Sequence, residues 1–377
     1  MLLVKDIVVL GTGSLARAFC CAYASAVKDP CTMRILGRDA IQARNLAAIV
    51  NSRSGLAGGK IFADAGPIEW SMEGIHNALC KLEPRVVLMV SSLQSPWEGH
   101  NKPSEWTRIL SEAGYGISLP LQALLASRLC KVMQSRTSRP LIVNACYPDA
   151  VNPLLHSLHL PIDVGIGNIS ILSAILEFTA PADQGSTPGQ EAHKDQASPT
   201  GQEAHIEWKL LAHHAHIGSF GGADGLPPPI AWRGAEKIEN VTERLSILHT
   251  LKGEPLNQIT GATAVPLVRA LLHKQKKQLH APGPNGLPGG YPLEVSGSGI
   301  KILDVPGMDL RQMTEWNQSA AKADGVQVRA DGQVLFQGQA ASVLRKLAPS
   351  LAKGFRAADL EDFTAEFMQF QNKTRNI

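Results

Sequence analysis

The chain has 377 residues and a formal net charge of +3, and its composition is 44% hydrophobic and 18% charged. Near-balanced charge argues against a surface built to track nucleic-acid phosphates, and the apolar content suffices for a full core, which excludes a disordered chain. The length predicts about two domains, no apolar run approaches the roughly 20 residues that cross a bilayer, and an N-terminus without a basic or apolar leader predicts a cytoplasmic protein. Its cysteines, Cys20, Cys21, Cys31, Cys80, Cys130 and Cys146, form no Cys-x-x-Cys pair, as expected of a reducing compartment.

Ile7 to Leu10 is a short β-branched run that stops at Gly11, and an Ala-rich stretch from Ser14 to Val27 follows. This pattern predicts a buried strand, a tight turn and a helix. Met33 to Leu36 and Arg85 to Val90 read as further strands, Ala40 to Val50 and Leu119 to Met133 as helices, and Leu141-Ile142-Val143 as another buried strand. Alternating strands and helices over 1–152 predict an α/β, doubly wound parallel sheet that binds a dinucleotide.

Residues 153–324 are richer in Pro and Gly and predict an α+β substrate domain. Within it, Gly189-Gln190-Glu191-Ala192-His193 is echoed by Gly201-Gln202-Glu203-Ala204-His205. That composition predicts a flexible surface insertion over 182–206, with a solvated His pair favoured over a metal site. In 325–377, Val326, Val328, Val334 and Phe336 alternate around Asp331-Gly332, a hairpin signal. Leu360, Phe363, Phe367 and Phe370 then share one helical stripe, expected to pack on the body or on a second subunit, with a partner-recognition helix as the alternative.

Gly11-Thr12-Gly13-Ser14-Leu15-Ala16 fits G-x-G-x-x-A between a strand and a helix. Gly11 permits the turn, Gly13 lets backbone approach a pyrophosphate, Ala16 permits close helix–strand packing, and the helix N-terminus favours the phosphates. At the end of the second strand, an NAD-specific site places an acidic residue against the ribose 2′-hydroxyl. Here Gly37 occupies that position and Arg38 follows, which removes a carboxylate and offers a fork for a 2′-phosphate. NADP is therefore the expected cofactor; the alternative is that Asp39 accepts from the ribose. Ser91-Ser92 ends the next strand, at the carboxyl edge where such sheets bind ligands.

From about residue 5 to 323 the chain resembles a divergent member of the lactate/malate dehydrogenase superfamily. The resemblance is carried by the glycine turn, by Asn144-Ala145-Cys146-Tyr147-Pro148-Asp149-Ala150-Val151-Asn152 after a core strand, and by Val164-Gly165-Ile166-Gly167-Asn168. Gly290-Tyr291-Pro292-Leu293-Glu294-Val295, Gly299 to Leu303 and Met308 to Ala320 follow in family order. It implies a His that exchanges a proton beside the nicotinamide, and in Leu211-Ala212-His213-His214-Ala215-His216 the best match is His214. His213 or His216 take its place if the register slips, and structural or metal-binding roles remain alternatives. The resemblance also makes Asn144 a contact to the nicotinamide or the substrate carbonyl.

Two departures stand out. The family's Asp and Arg on the helix after the Gly-rich strand are missing from Ile169-Ser170-Ile171-Leu172-Ser173-Ala174-Ile175-Leu176. The loop Leu93-Gln94-Ser95-Pro96-Trp97-Glu98 lacks the family's arginine pair. Without a guanidinium to grip a carboxylate, a small 2-oxo acid is poorly held, so the expectation is an NADP-dependent reductase of a larger ketone or imine from specialised metabolism. The alternative is a non-catalytic partner-binding module that keeps the nucleotide. A homo-oligomer acting on a small molecule is expected, without nucleic-acid or membrane partners.

Overall fold

The computed structural model describes residues 3–179, 208–218, 225–251 and 253–375; the insertion expected at 182–206 lies outside the described residues. Six strands, β1 (Leu3–Leu10), β2 (Cys31–Gly37), β3 (Ile61–Pro67), β4 (Leu82–Met89), β5 (Leu141–Asn144) and β6 (Val164–Gly165), form one sheet. Its order is β3-β2-β1-β4-β5-β6, and every pairing is parallel. The expected α/β doubly wound architecture is thus present, with β1 beside β4 at the switch point where such sheets bind ligands.

Both faces of the sheet are covered, which is why the strand sequences are nearly continuous apolar runs. Ile7 and Val9 pack on one face against α1 (Ser14–Ala26) and α2 (Ala40–Leu56). Val8 and Leu10 pack on the other, in a cluster with α3 (Met72–Leu79), α5 (Glu105–Ala113), α6 (Leu119–Gln134) and α7 (Pro148–Ser157). A short helix α4 (Glu98–Asn101) lies between β4 and α5. The sequence reading missed β3 because Asp64 and Gly66 interrupt its apolar pattern; Asp64 is spared burial on this edge strand and pairs with Lys5 at 2.9 Å and Arg34 at 3.2 Å.

After α8 (Ile169–Thr179), a three-stranded sheet joins β7 (Trp208–Leu211), β8 (Ile230–Arg233) and β9 (Glu236–Ile238). A one-turn helix α9 (Ala215–Gly218) follows β7, and α10 (Val241–Arg244) precedes α11 (Glu254–Leu272). An antiparallel sheet of β10 (Lys277–Pro282), β11 (Gly290–Ser296) and β12 (Gly299–Ile302) leads to α12 (Leu310–Ala323). Helix α11 lies against α1 so closely that a Cβ on Gly261 would come within 2.6 Å of the Ala18–Phe19 backbone. This contact sets Asn257, one turn earlier, beside Ser14.

The expected hairpin forms between β13 (Val326–Val328) and β14 (Gln333–Phe336), extended by β15 (Phe355–Arg356). Helices α13 (Gly338–Leu347) and α14 (Leu360–Arg375) complete the chain. The stripe Leu360, Phe363 and Phe367 is buried within the same cluster as Val8, Leu10 and Trp106, with Phe370 packed at its margin. The helix therefore covers the body of its own chain, as the first of the two sequence readings has it.

Candidate active site

Gly11 leaves β1 with φ +140°, and a Cβ there would meet Ser91 Oγ at 2.6 Å. Gly13 is the N-cap of α1; no side chain caps the helix, and a Cβ on Gly13 would find no atom within 4 Å. Uncapped N–H groups facing an open cradle are what a pyrophosphate requires. Ala16 is fully buried against the sheet, as the G-x-G-x-x-A spacing predicts, with Leu15 half-buried beside it. Ser14 Oγ accepts a hydrogen bond from Asn257 Nδ2 at 2.8 Å.

At the end of β2, Gly37 is buried and the side chain of Thr12 fills the space above it: a Cβ would lie 2.6 Å from the Thr12 methyl. Asp39 caps α2, its Oδ1 accepting from the backbone N–H of Ile41 at 2.8 Å and Gln42 at 3.1 Å. Arg38 is exposed and makes no ion pair among the described residues. The residues thus fit a dinucleotide whose diphosphate caps α1, with a guanidinium free at the ribose end.

The histidines follow β7. Ala212 bridges to Gly290, and residues 215–218 form a helical turn, so His216 lies on a helical turn rather than on a strand. His213 is fully buried; its Nδ1 accepts from Ala215 N–H at 3.1 Å, and its own N–H donates to His216 Nδ1 at 2.9 Å. His216 Nε2 then donates to Pro227 O at 2.8 Å, and its ring stacks on Trp316 at 5.6 Å. Burial holds both pKa values below the ordinary imidazole range. Both rings are held by hydrogen bonds within this segment.

His214 differs. Its side chain is 20% exposed, and its Nδ1 lies 2.8 Å from Asp324 Oδ2, at the C-terminal end of α12. The same oxygen accepts from Tyr147 Oη at 2.5 Å, and the Asp324 side chain is only 8% exposed. The His214 backbone N–H donates to Asp149 Oδ1 at 2.9 Å, and Asn168 Nδ2 donates to Asp149 Oδ2. The ring is wedged between Tyr115, at 5.0 Å, and Tyr147, at 4.9 Å. Burial disfavours the imidazolium, but the Asp324 carboxylate outweighs it and raises the His214 pKa above its ordinary value. Burial likewise opposes the Asp324 carboxylate, and His214 with Tyr147 outweighs it to lower that pKa.

Tyr147 and Asp149 lie where β5 passes into α7, and Tyr147 has φ +47°, a left-handed conformation costly for a bulky residue. Cys146 Sγ contacts Ser91 O at 3.2 Å, so the His214 cluster borders the same carboxyl edge as the glycine turn. Ser92 is tied down, its Oγ donating to Gln94 O at 2.7 Å. Asn144 departs from expectation. It is fully buried, its Oδ1 accepts from Cys146 N–H at 2.9 Å, and its Nδ2 donates to Cys146 O at 3.1 Å and Asn152 Oδ1 at 2.9 Å. Both of its amide hydrogens are thus engaged within the loop, while Oδ1 accepts a single bond there.

Sequence reasoning missed Asp324, Asp149, Tyr147 and Tyr115. No local signal marks Asp324, which belongs to a helix end far from His214 in sequence. The missing carboxylate of α8 is explained by packing: Ile169, Ile171, Leu172, Ile175 and Leu176 are core residues against Val241, Leu245 and Leu248. The carboxylate beside His214 lies instead at the C-terminal end of α12. Among the described residues, no group of three or more His, Cys, Asp or Glu is placed to hold a metal, and no helix is long and apolar enough to cross a membrane.

Neither a family model nor a curated protein matches the chain. Solved structures do. The malate dehydrogenase of Aeropyrum pernix superposes with a TM-score of 0.50 at 13% identity, over 92% of this chain and 99% of that one. The minor L-lactate dehydrogenase of Enterococcus mundtii gives 0.48 at 15% identity over 84% and 96%, and the malate dehydrogenase of Plasmodium falciparum gives 0.49 at 10% over 85% and 96%. The chain shares its fold with the malate dehydrogenase of Aeropyrum pernix.

Proposed function

We propose that this protein is an NADP-dependent oxidoreductase that reduces a ketone or imine, with His214 as the proton donor. The observation that carries this reading is the His214–Asp324 pair, which borders the sheet edge holding the Gly11–Thr12–Gly13 turn. A bound reduced nicotinamide supplies the hydride. Asp324 fixes the ring through Nδ1, which leaves Nε2 to hand its proton to the oxygen or nitrogen of the reduced bond and return the imidazole to neutrality. Asp149 holds the His214 backbone, and the two tyrosines limit ring rotation. Gly37, Arg38 and the engaged Asp39 favour a phosphorylated ribose.

The substrate follows from what is missing. Arg108 pairs with Glu105 at 2.5 Å and Glu112 at 3.1 Å, Arg375 pairs with Glu98, and α8 carries no cation. Among the described residues, the arginines of α5 and of the end of α14 are paired and α8 has none, which favours a neutral carbonyl or imine over a 2-oxo acid. The test is NADPH consumption across neutral ketones, imines and 2-oxo acids, with and without His214→Asn. Turnover of 2-oxo acids alone overturns the substrate class, and full activity in the variant removes His214 from the chemistry.

A further inference from the structure

The segment from 90 to 104, between β4 and α5, is held from both sides. On one side, Trp97 Nε1 donates to Asn257 Oδ1 at 3.3 Å, and Asn257 Nδ2 donates to Ser14 Oγ at the start of α1. On the other, the Glu98 carboxylate accepts from Arg375 Nε at 2.7 Å and Nη2 at 2.5 Å, and from Gln94 Nε2 at 3.0 Å. Gln94 is fully buried, its Oε1 accepts from Trp106 Nε1 at 2.8 Å, and the Gln371 amide meets it at 2.8 Å. Phe367 and Phe370 set their edges against the Trp106 ring at 5.9 and 6.1 Å. The last turn of the chain is thereby linked to the glycine turn through Arg375, Glu98, Trp97, Asn257 and Ser14.

The anchoring of α14 and this linkage are separable. Leu360, Phe363 and Phe367 hold the helix in the core, and Glu361 with Arg128 pins its first turn at 2.5 Å. Arg375 lies four turns further on, where its guanidinium pairs with Glu98 and lies 3.2 Å from the Gln371 amide. Its pair with Glu98 is two-pronged and partly buried, with side chains 31% and 15% exposed, so it exceeds an ordinary surface ion pair. Glu98 is also the neighbour in sequence of Trp97, whose indole reaches the α1 side.

We infer that Arg375 and Glu98 are positioning residues that make α14 a strap, holding the Trp97 segment closed over the N-terminus of α1 and slowing the release of a bound nucleotide. This rests on reading the Gly11 to Ser14 turn as the nucleotide site. The strap itself has consequences in the nucleotide-free protein, so the two can fail separately.

The experiment uses the full chain with Arg375→Ala, Glu98→Gln, and the exchanged pair Glu98→Arg with Arg375→Glu. Hydrogen–deuterium exchange over 93–104 is measured without nucleotide, and NADPH dissociation is measured by stopped-flow displacement. Each single variant is expected to exchange this segment and release NADPH about tenfold faster, matching the loss of one charge-assisted pair, with the thermal midpoint held by the buried phenylalanines. The exchanged pair restores both rates in part. Unchanged exchange in the single variants overturns the strap, and faster exchange with unchanged release overturns its control of the nucleotide. If the unaltered protein takes up no NADPH, the nucleotide reading falls, and the exchange measurement alone then decides the strap.

Discussion

Thr12 occupies the space that a side chain at Gly37 would need: the Thr12 methyl lies 2.6 Å from where that Cβ would be. A carboxylate at the end of β2 would therefore require the glycine turn itself to change, and Arg38 stands beside the gap without an ion pair. Arg38→Ala is expected to weaken NADPH binding about 10–100-fold, the range for hydrogen bonds to a charged group, and to leave NADH binding unchanged. Fluorescence titration with both cofactors checks this; equal losses for the two would remove Arg38 from the 2′-phosphate.

Gly11 and Gly13 should respond oppositely to substitution. Gly11→Ala puts a methyl 2.6 Å from Ser91 Oγ at φ +140°, and we expect a lower thermal midpoint. Gly13→Val places its Cβ where no atom lies within 4 Å, so the fold should hold while the cradle for a diphosphate fills. Calorimetry with and without NADPH separates the cases. A Gly13→Val protein still stabilised by NADPH contradicts the proposed position of the diphosphate.

The raised pKa of His214 and the lowered pKa of Asp324 set a pH dependence. The proposed reduction draws its proton from the His214 imidazolium, so its rate should decline as pH climbs through a value above about 6.5. Asp324→Asn removes the carboxylate and leaves burial unopposed, which moves the inflection to lower pH and cuts the rate at neutral pH about 100-fold. The stability terms have opposite windows. The His214 contribution is complete below about 6.5 and lost as pH rises through the raised folded value; that of Asp324 is present above about 3.9 and lost as pH falls through its depressed folded value. Urea midpoints for wild type and Asp324→Asn should therefore differ most between those limits. Identical pH profiles would exclude the pairing.

Phe367 is fully buried against Trp106, Phe363 and Phe370. Truncation to Ala leaves a cavity in that cluster, and we expect a loss of about 3–5 kcal/mol in unfolding free energy by denaturant titration. A loss below about 1 kcal/mol would mean that α14 is dispensable to the core.

What the sequence made legible was local. The run from Ile7 to Leu10, the Gly11 and Gly13 spacing and the Ala-rich helix identify the first βα unit because each depends on near neighbours. The stripe of Leu360, Phe363 and Phe367 likewise identifies an amphipathic helix. Asp324 and His214 meet only because α12 and the segment after β7 converge, and such pairing leaves no periodic trace in either stretch. Asn144 shows the converse: the resemblance made this last residue of β5 a ligand contact, and its hydrogen bonds to Asn152 and Cys146 could not be read from the sequence.

The shared core has a consequence for how the chain folds. Val8 and Leu10 near the start bury themselves in the same cluster as Val326, Phe336 and Phe367 near the end. Without residues 325–377 in place, the body would carry an uncovered apolar flank around Trp106, Ile109 and Leu121. The hairpin and α14 must therefore dock before that flank can be closed.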